Sequence, residues 1–226
     1  MDHSAAEAYD WGADAYYVRA HLRLRVLAEL LRRHGLAGAR VLDVGAGLGT
    51  LARLLGLREG YVGLDQYEEA LRQAGDLDLR RWHWDDAVCA PLPDPPFDIV
   101  VASGFLEYIE SREAFLRRVH EVLRPGGTLF TSMIWERYWP RRWHAFRGRP
   151  HRHALWKRIE TPAGMDALFR AAGLVPAAAT PVINVRHEWP HEGYSCRRRR
   201  EVDSFATLRP GLFTDQLIYE VRGPGL

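Results

Sequence analysis

Short apolar segments alternate with amphipathic segments of helical period along the chain, and this alternation limits the possible folds more than any other feature. Residues 17–34 carry leucines and valines at helical spacing, and Gly35 follows as a natural end of the helix. The segment FDIVVAS, residues 97–103, is almost wholly apolar, which is typical of a strand buried on both faces of a parallel sheet. Strands and helices that alternate at these lengths predict a doubly wound α/β fold with a mostly parallel sheet.

The pattern predicts seven strands, with helices between most of them. Thr161 and Pro162 stand in the N-cap and N1 order that opens a helix, and Gly173 closes it. The RPGG segment at 124–127 is predicted to be a turn. The strands are expected in the segments ARVLDVG, YVGLD, LDLRRWHW, FDIVVAS, TLFTSMIW, PVINV and DQLIYEV.

The composition fits one domain that spans residues 1–226. The chain is 47% hydrophobic and 27% charged, which suffices for an ordinary core. No apolar run reaches the ~18 residues that a membrane span needs, and the acidic, polar start differs from a signal peptide. Cys89 and Cys196 do not have the spacing of metal ligands, so no metal site is predicted. A cytoplasmic, reduced protein is the simplest expectation.

A glycine-rich turn, VLDVGAGLGT at residues 41–50, follows the first predicted strand. A dinucleotide fingerprint would have its third glycine where this chain has Thr50. A phosphate-binding P-loop would continue with a lysine, and the only lysine of the chain is Lys157. Two interpretations remain. The segment is either a tight turn that binds nothing, or a turn that binds a ligand without the usual phosphate contacts.

Acidic side chains at the ends of other strands favour a ligand site. Asp65 ends the second strand, where a carboxylate can accept hydrogen bonds from ribose hydroxyls, and Asp85 and Asp86 follow the third. Ser103 and Gly104 follow the fourth. In open α/β sheets ligands bind outside the carboxyl ends of the strands, so these residues are expected to surround one site.

The motif Asp43-x-Gly45-x-Gly47-x-Gly49 resembles the first motif of class I S-adenosylmethionine-dependent methyltransferases. The similarity extends through Asp65 and DDAVCAPLPDPPFDIVVASGFLEYI to LRPGGTLF, covering residues 38–135, and more loosely 161–174. The resemblance implies a seven-stranded, Rossmann-like methyltransferase sheet whose last strand is antiparallel. It also implies S-adenosylmethionine as the cofactor, which carries an adenosine but no phosphate.

The resemblance further implies roles for individual residues. The backbone of residues 45–47 would approach the methionine part and the sugar, and Asp65 would hold the ribose hydroxyls. Asp86 and the Ala87 amide would face the adenine, although Asp85 could share that contact. The cofactor-binding set is Asp43, Gly45, Ala46, Gly47, Gly49, Asp65, Gln66, Asp86, Ala87, Ser103 and Gly104.

Three segments are expected on the acceptor side of the site. Residues 1–35 would form an N-terminal lid and helix, and the long connections 136–160 and 186–213 would be insertions that cover the pocket. Segment 136–160 is basic and aromatic, which suits an anionic or aromatic substrate, but it could equally be a solvated cover. His144 is the candidate general base, and the candidate substrate contacts are Tyr16, Tyr17, Tyr108, Trp139 and Trp143.

The sequence favours methyl transfer to an O or N atom of a small molecule, aromatic or anionic. An RNA methyltransferase is the first alternative, but no Asn-Pro-Pro-Tyr follows the fourth strand, no RNA-binding module is recognised, and the net charge is only +2. The run Arg197–Arg200 is interpreted as a solvated surface stretch. The second alternative is a cofactor-binding protein without transferase activity. No partner other than the small-molecule substrate is predicted, and the oligomeric state is left open.

Overall fold

A computed structural model describes residues 14–73, 75–84, 91–94, 96–135, 146, 160–183, 214–223 and 225, and it describes the side chains of these except at 14–22, 183 and 215. The helices are α1 (Asp14–His34), α2 (Thr50–Leu55), α3 (Glu68–Gln73), α4 (Arg112–Val122) and α5 (Pro162–Ala171), with a 3-10 turn at Leu106–Tyr108. The strands are β1 (Val41–Val44), β2 (Tyr61–Asp65), β3 (Leu79–Arg81), β4 (Phe97–Ala102), β5 (Leu123–Ile134), β6 (Val175–Ile183) and β7 (Thr214–Arg222).

The seven strands form one sheet in the order β3-β2-β1-β4-β5-β7-β6. Strands β1 to β5 pair in parallel, whereas β7 lies antiparallel between β5 and β6. The chain therefore winds outward from β1 to β3, and then returns to place β4 on the other side of β1. The expected seven-stranded sheet with an antiparallel last strand is confirmed.

Apolar side chains pack on both faces of the sheet. One cluster joins the helices α1 and α2, through Leu27, Leu31 and Leu51, to the strands. The other joins α4 and α5, with Val119 and Phe169 fully buried. Each such side chain contributes about 1.5–3 kcal/mol of hydrophobic free energy to folding. The two layers hold the sheet rigid, so that the ends of its strands keep a fixed geometry.

The predicted ends of α1 and α5 are confirmed at the positions where the sequence has capping residues. The Thr161 side chain accepts a hydrogen bond of 3.1 Å from the Gly164 amide, and Pro162 follows it. Gly173 after α5 and Gly35 after α1 have positive φ values of 78° and 91°. These local signals lie in a few consecutive residues, which is why the sequence alone predicts them.

The prediction of a turn at RPGG is wrong, because these residues lie inside β5. Phe97 pairs with Leu123 and Ile99 pairs with Thr128, so β5 carries additional residues between the two pairs. Gly126 has a φ of 74° within this irregularity, a value that favours glycine. Residues 124–127 thus form a bulge, because β5 pairs with β4 on both sides of them, at Leu123 and again from Thr128 onward.

Two other strands differ from the predicted segments. Strand β3 is limited to Leu79–Arg81, shorter than residues 77–84. Strand β6 begins at Val175, well before the predicted start at Pro181. Its two prolines are tolerated because β6 is the last strand in the order and does not need every amide for pairing.

Candidate cofactor site

The polar residues predicted to form a site meet at the carboxyl edge of the sheet. Asp43 in β1 pairs in register with Gly63 of β2 and Val101 of β4. Asp65 is the last residue of β2, and Ser103 directly follows β4. Because the three strands are adjacent and parallel, their ends open onto the same space.

The glycine turn between β1 and α2 is fixed by hydrogen bonds to β2. The amides of Gly45 and Ala46 both donate to the Leu64 carbonyl, at 2.8 and 3.0 Å. The three glycines of the turn have φ values of 75°, 55° and 69°, which side chains with a Cβ rarely adopt. At Gly45 an added Cβ would also lie 3.4 Å from the Phe105 ring. The turn therefore needs glycine for its conformation and leaves its backbone open to a close ligand.

Asp65 is bound to the turn through both of its carboxylate oxygens. Oδ2 accepts from the Gly47 amide at 2.8 Å, and Oδ1 accepts from the Tyr67 amide at 2.9 Å. Burial raises the pKa of Asp65, and the amides of Tyr67, Gly47 and Gln66 oppose that increase. A carboxylate offers about four acceptor positions, so one remains beyond the three amides. A ribose hydroxyl that donates to this remaining position therefore fits the carboxylate.

Asp43 lies beneath the turn and is 4% exposed. The Tyr61 hydroxyl donates to its Oδ2 at 3.1 Å. Burial is the main reason that the pKa of Asp43 is raised to about 7, and the nearby Asp65 charge acts in the same direction. The hydrogen bond from Tyr61 and the charge of Arg23 act against this increase. Its contacts are within the protein, so the structure favours a role in supporting the turn, as the resemblance implies.

Ser103 and Gly104, which the resemblance implies beside the methionine part of the cofactor, directly follow β4 at the carboxyl edge of the sheet. The Gly104 amide donates to the Ser132 hydroxyl at 2.8 Å, which ties the end of β4 to β5. The Ser103 Oγ is buried and makes no hydrogen bond within the described part of the chain. A buried hydroxyl without a partner is unfavourable, so a polar ligand at this place would offset that cost.

Aromatic rings form a wall beside the glycine turn. The rings of Phe105 and Phe115 lie 4.8 Å apart, and Trp84 meets Phe115 at 5.4 Å. Trp82 lies 5.7 Å from Trp84 and donates through Nε1 to the Pro91 carbonyl at 3.1 Å. This bond joins residues on either side of segment 85–90, which contains the residues predicted to face the adenine. Trp82, Trp84 and Phe115 are themselves buried in the hydrophobic core, so they support the turn from behind.

The structure brings together nine of the eleven residues of the predicted cofactor set. The other two, Asp86 and Ala87, lie outside the described residues. The same is true of Trp139, Trp143, His144, Arg197–Arg200, all of segment 186–213 and most of segment 136–160. Tyr16 and Tyr17 lie in α1, whose side chains are described only from Arg23 onward. Tyr108 is half-buried in the 3-10 turn after β4. The roles of all these residues stay predictions.

Three side chains that shape the site were not predicted from the sequence. Tyr61 is the partner of Asp43, and Arg53 donates to the Leu48 carbonyl of the glycine turn at 2.6 Å. Arg23 lies at the edge of the sheet, four residues before the buried Leu27 and therefore on the core face of α1. A charged residue on an apolar helix face was a signal that could have identified it.

Two kinds of site are not found within the described residues. No group of three or more His, Cys, Asp or Glu side chains is arranged to hold a metal ion in that part of the chain. No helix there is both long and apolar enough to cross a bilayer.

The sheet order and the glycine turn define a Rossmann-like domain, and the candidate ligand site lies at the carboxyl ends of β1 and β2. Residues 42–129 match the family described as "Methyltransferase domain". This match covers less than half of the chain, which over that segment is similar to S-adenosylmethionine-dependent methyltransferases. The glycine turn and the Asp65 carboxylate fit the methionine part and the ribose of S-adenosylmethionine, the cofactor of those enzymes.

Curated relatives match the chain in part. A trans-aconitate 2-methyltransferase of Methylobacterium nodulans is 36% identical over 129 residues, which are 55% of this chain and 50% of that protein. A ubiquinone biosynthesis O-methyltransferase of Chromobacterium violaceum is 30% identical over 55% of this chain and 57% of its own. The chain thus spans about half the length of these relatives.

A solved structure shows the same fold over nearly the whole chain. Magnesium protoporphyrin IX methyltransferase from Synechocystis, with bound SAH, superposes with a TM-score of 0.62. The superposition covers 95% of this chain and 88% of that one, at 14% sequence identity. At that identity the similarity shows only that the two proteins share a fold.

Proposed function

We propose that the protein transfers the methyl group of S-adenosylmethionine to an O or N atom of a small molecule that is aromatic or anionic. The observation that carries the proposal is the pairing of the glycine turn with Asp65, whose carboxylate is fixed by backbone amides and keeps an acceptor position for the ribose. The similarity to a trans-aconitate 2-methyltransferase and to a ubiquinone biosynthesis O-methyltransferase supports a small-molecule acceptor.

The residues of this chain act mainly by binding and orientation. When bound, the cofactor supplies a methyl group on a sulfonium, which is already activated for transfer. Positioning of the acceptor can contribute effective molarities on the order of 10⁵–10⁸ M, whereas a general base adds about 10²–10⁴-fold. The rigid edge of the sheet, with Asp65 and Gly104 at fixed places, would orient the cofactor, which is one half of that positioning.

The acceptor side of the proposal rests on sequence. The basic, aromatic segment 136–160 and the tyrosines of residues 1–35 would close over the site, with His144 as candidate base. Tyr108 lies just after β4, where it could face the acceptor. A cytoplasmic location, expected from the composition, remains part of the proposal.

The test is methyl transfer from S-adenosylmethionine labelled in its methyl group. The acceptors are a panel of polycarboxylates, phenols and catechols, with unfractionated transfer RNA as a separate arm. We expect label in at least one small molecule with the wild-type protein, and a strong loss with Asp65→Ala at limiting cofactor. Label in RNA and in no small molecule would instead establish the RNA alternative.

A further inference from the structure

Gln216 of β7 lies at the carboxyl edge of the sheet, on the side away from β2. Its backbone pairs in register with Ile134, the last residue of β5, and with Val182 of β6. Because β7 is antiparallel to β5, its first residues lie beside the carboxyl end of β5. The chain continues from β5 into segment 136–160 and enters β7 from segment 186–213. Gln216 thus lies where the two segments that are predicted to cover the acceptor join the sheet.

Arg23 of α1 connects the Gln216 side chain to the end of β4. A Cβ added to Gly104 would lie 2.6 Å from Nη1 of Arg23, and the same Nη1 donates to Oε1 of Gln216 at 3.2 Å. One guanidinium nitrogen therefore separates Gln216 from Gly104, which the resemblance implies beside the methionine part of the cofactor. The sulfur that carries the methyl group belongs to that part, so we expect an acceptor at the methyl group to lie near Gln216.

The hydrogen bond from Arg23 fixes the orientation of the Gln216 amide. A guanidinium only donates hydrogen bonds, so the amide atom that faces it must be the oxygen Oε1. The nitrogen Nε2, which has two hydrogens to donate, is therefore turned away from Arg23. Nε2 makes no hydrogen bond within the described part of the chain, and the side chain is half-buried. Gln216 thus offers two N–H donors to a ligand in a fixed orientation.

The charge of Arg23 determines which ligand atom these donors prefer. None of the ion pairs found among the described residues includes Arg23, so no protein anion neutralises it there. A cation bonded to Oε1 polarises the amide and strengthens its N–H groups as donors. Hydrogen bonds to an ionised acceptor are stronger than those to a neutral one, so these donors favour a carboxylate. A ligand without such an oxygen would leave the donors unpaired, which disfavours its binding.

We propose that Gln216, oriented by Arg23, selects acceptors that carry a carboxylate beside the atom that receives the methyl group, with Nε2 donating to that carboxylate. The proposal rests on the proposed function, because it requires an acceptor next to the bound cofactor. It narrows the acceptor from an aromatic or anionic molecule to an anionic one. Gln216 is a residue for specificity and exchanges no proton with the acceptor.

The experiment compares protocatechuate with catechol, two probes that differ only in a carboxylate. Each probe is titrated by calorimetry into protein saturated with S-adenosylhomocysteine. The carboxylate of the cofactor product is then present in both titrations and does not account for a difference between the probes. The wild-type protein is expected to bind protocatechuate about ten- to a hundredfold more tightly, the range for a hydrogen bond to a charged group.

The variant Gln216→Glu separates this role from a structural one. The new carboxylate still accepts from Arg23, so the contact between α1 and β7 is retained, but it has no N–H group and adds a negative charge. The preference for protocatechuate should therefore disappear or reverse, whereas a merely structural Gln216 would leave it intact. The matched control is Gln73→Glu, the same change on the exposed surface of α3, which should keep the preference.

The variant Gln216→Leu separates Gln216 from Arg23. It removes the donors and leaves the charge of Arg23 in place, so the preference should fall to nearly one. A preference that persists in this variant would assign the carboxylate to Arg23 alone and overturn the proposal. Thermal unfolding of each variant verifies that it is folded.

Results with the wild-type protein distinguish this proposal from the proposed function. Bound S-adenosylhomocysteine together with equal affinities for the two probes, or with no binding of either, would overturn the role of Gln216 alone. Failure to bind S-adenosylhomocysteine, measured before any probe is added, would contradict the proposed function and this proposal with it.

Discussion

At the scale of single residues, Asp65 joins the end of β2 to the glycine turn, and the same carboxylate is proposed to bind the ribose of the cofactor. It is 7% exposed and accepts from the amides of Gly47 and Tyr67. The turn therefore keeps Asp65 in one orientation, which reduces the entropy that would be lost when a ligand binds.

Replacing Asp65 by alanine is expected to weaken the binding of S-adenosylhomocysteine by at least tenfold. The reason is the loss of a charge-assisted hydrogen bond, worth about 1.5–3 kcal/mol. Calorimetry measures the affinity, and Asp76→Ala is the control because that carboxylate is 65% exposed and pairs with Arg58 on the surface. Unchanged affinity in Asp65→Ala would remove the ribose assignment.

The raised pKa of Asp43 leads us to expect that the stability of the protein depends on pH. Its pKa is raised to about 7 by burial, so between pH 4 and 7 the folded protein holds a proton that the unfolded chain has released. The contribution of Asp43 to the free energy of unfolding is therefore largest at acidic pH and is lost as the pH rises through 7. The carboxylate is buried, so ionising it disfavours the folded state.

In Asp43→Asn that contribution disappears, and the amide oxygen can still accept from Tyr61. Between pH 4.5 and 7.5 the variant should gain about 3 kcal/mol of unfolding free energy relative to the wild-type protein. Urea unfolding at several pH values measures the difference. A difference that stays constant across this range would show that Asp43 ionises at its ordinary pKa.

At the scale of elements, one buried ion pair joins α4, the 3-10 turn and the start of α5. Arg112 donates through Nε to the Leu106 carbonyl at 2.7 Å and through Nη1 to Glu160 at 3.2 Å. The two side chains are only 3% and 12% exposed. The pair thus fixes the turn that carries Tyr108 and the residue at which the chain returns from segment 136–159.

Arg112→Met should lower the free energy of unfolding by about 3–5 kcal/mol, because it leaves the Glu160 carboxylate buried without this partner. In the double variant Arg112→Met with Glu160→Met, much of that loss should be recovered. The control is Arg117→Met, which removes an exposed pair with Glu113 on the same helix and should cost less than about 1 kcal/mol. Equal losses in the single and the double variant would contradict this account.

At the scale of the whole molecule, ligand binding should stabilise the domain. The site is formed by the ends of β1, β2 and β4, which separate when the sheet unfolds, so the ligand binds only the folded state. S-adenosylhomocysteine at a hundred times its Kd should add about 2.7 kcal/mol to the free energy of unfolding. For a chain of this size that raises Tm by about 5–10 °C.

Differential scanning fluorimetry measures this shift, and Asp65→Ala at the same ligand concentration should show a smaller one. A wild-type protein whose Tm does not change at saturating S-adenosylhomocysteine would contradict binding at this site.

Local sequence determined the positions of most elements and the glycine turn. Alternating apolar segments predicted the strands, and Thr161, Pro162 and Gly173 set the ends of α5. The glycines at 45, 47 and 49 adopt positive φ, as a tight turn demands. Such features follow from the sterics and hydrogen bonding of neighbouring residues, so a short stretch of sequence contains the information.

The tertiary structure decided the contacts between residues that are distant in sequence. Arg23 meets Gln216 across 193 residues, and Arg112 meets Glu160 across 48. RPGG became a bulge because β4 pairs with residues on both sides of it, which no local pattern reveals. These outcomes depend on which strands become neighbours and on the burial that follows, and burial also gives Asp43 its raised pKa. A pattern within one segment contains none of that information, because the partner lies in another.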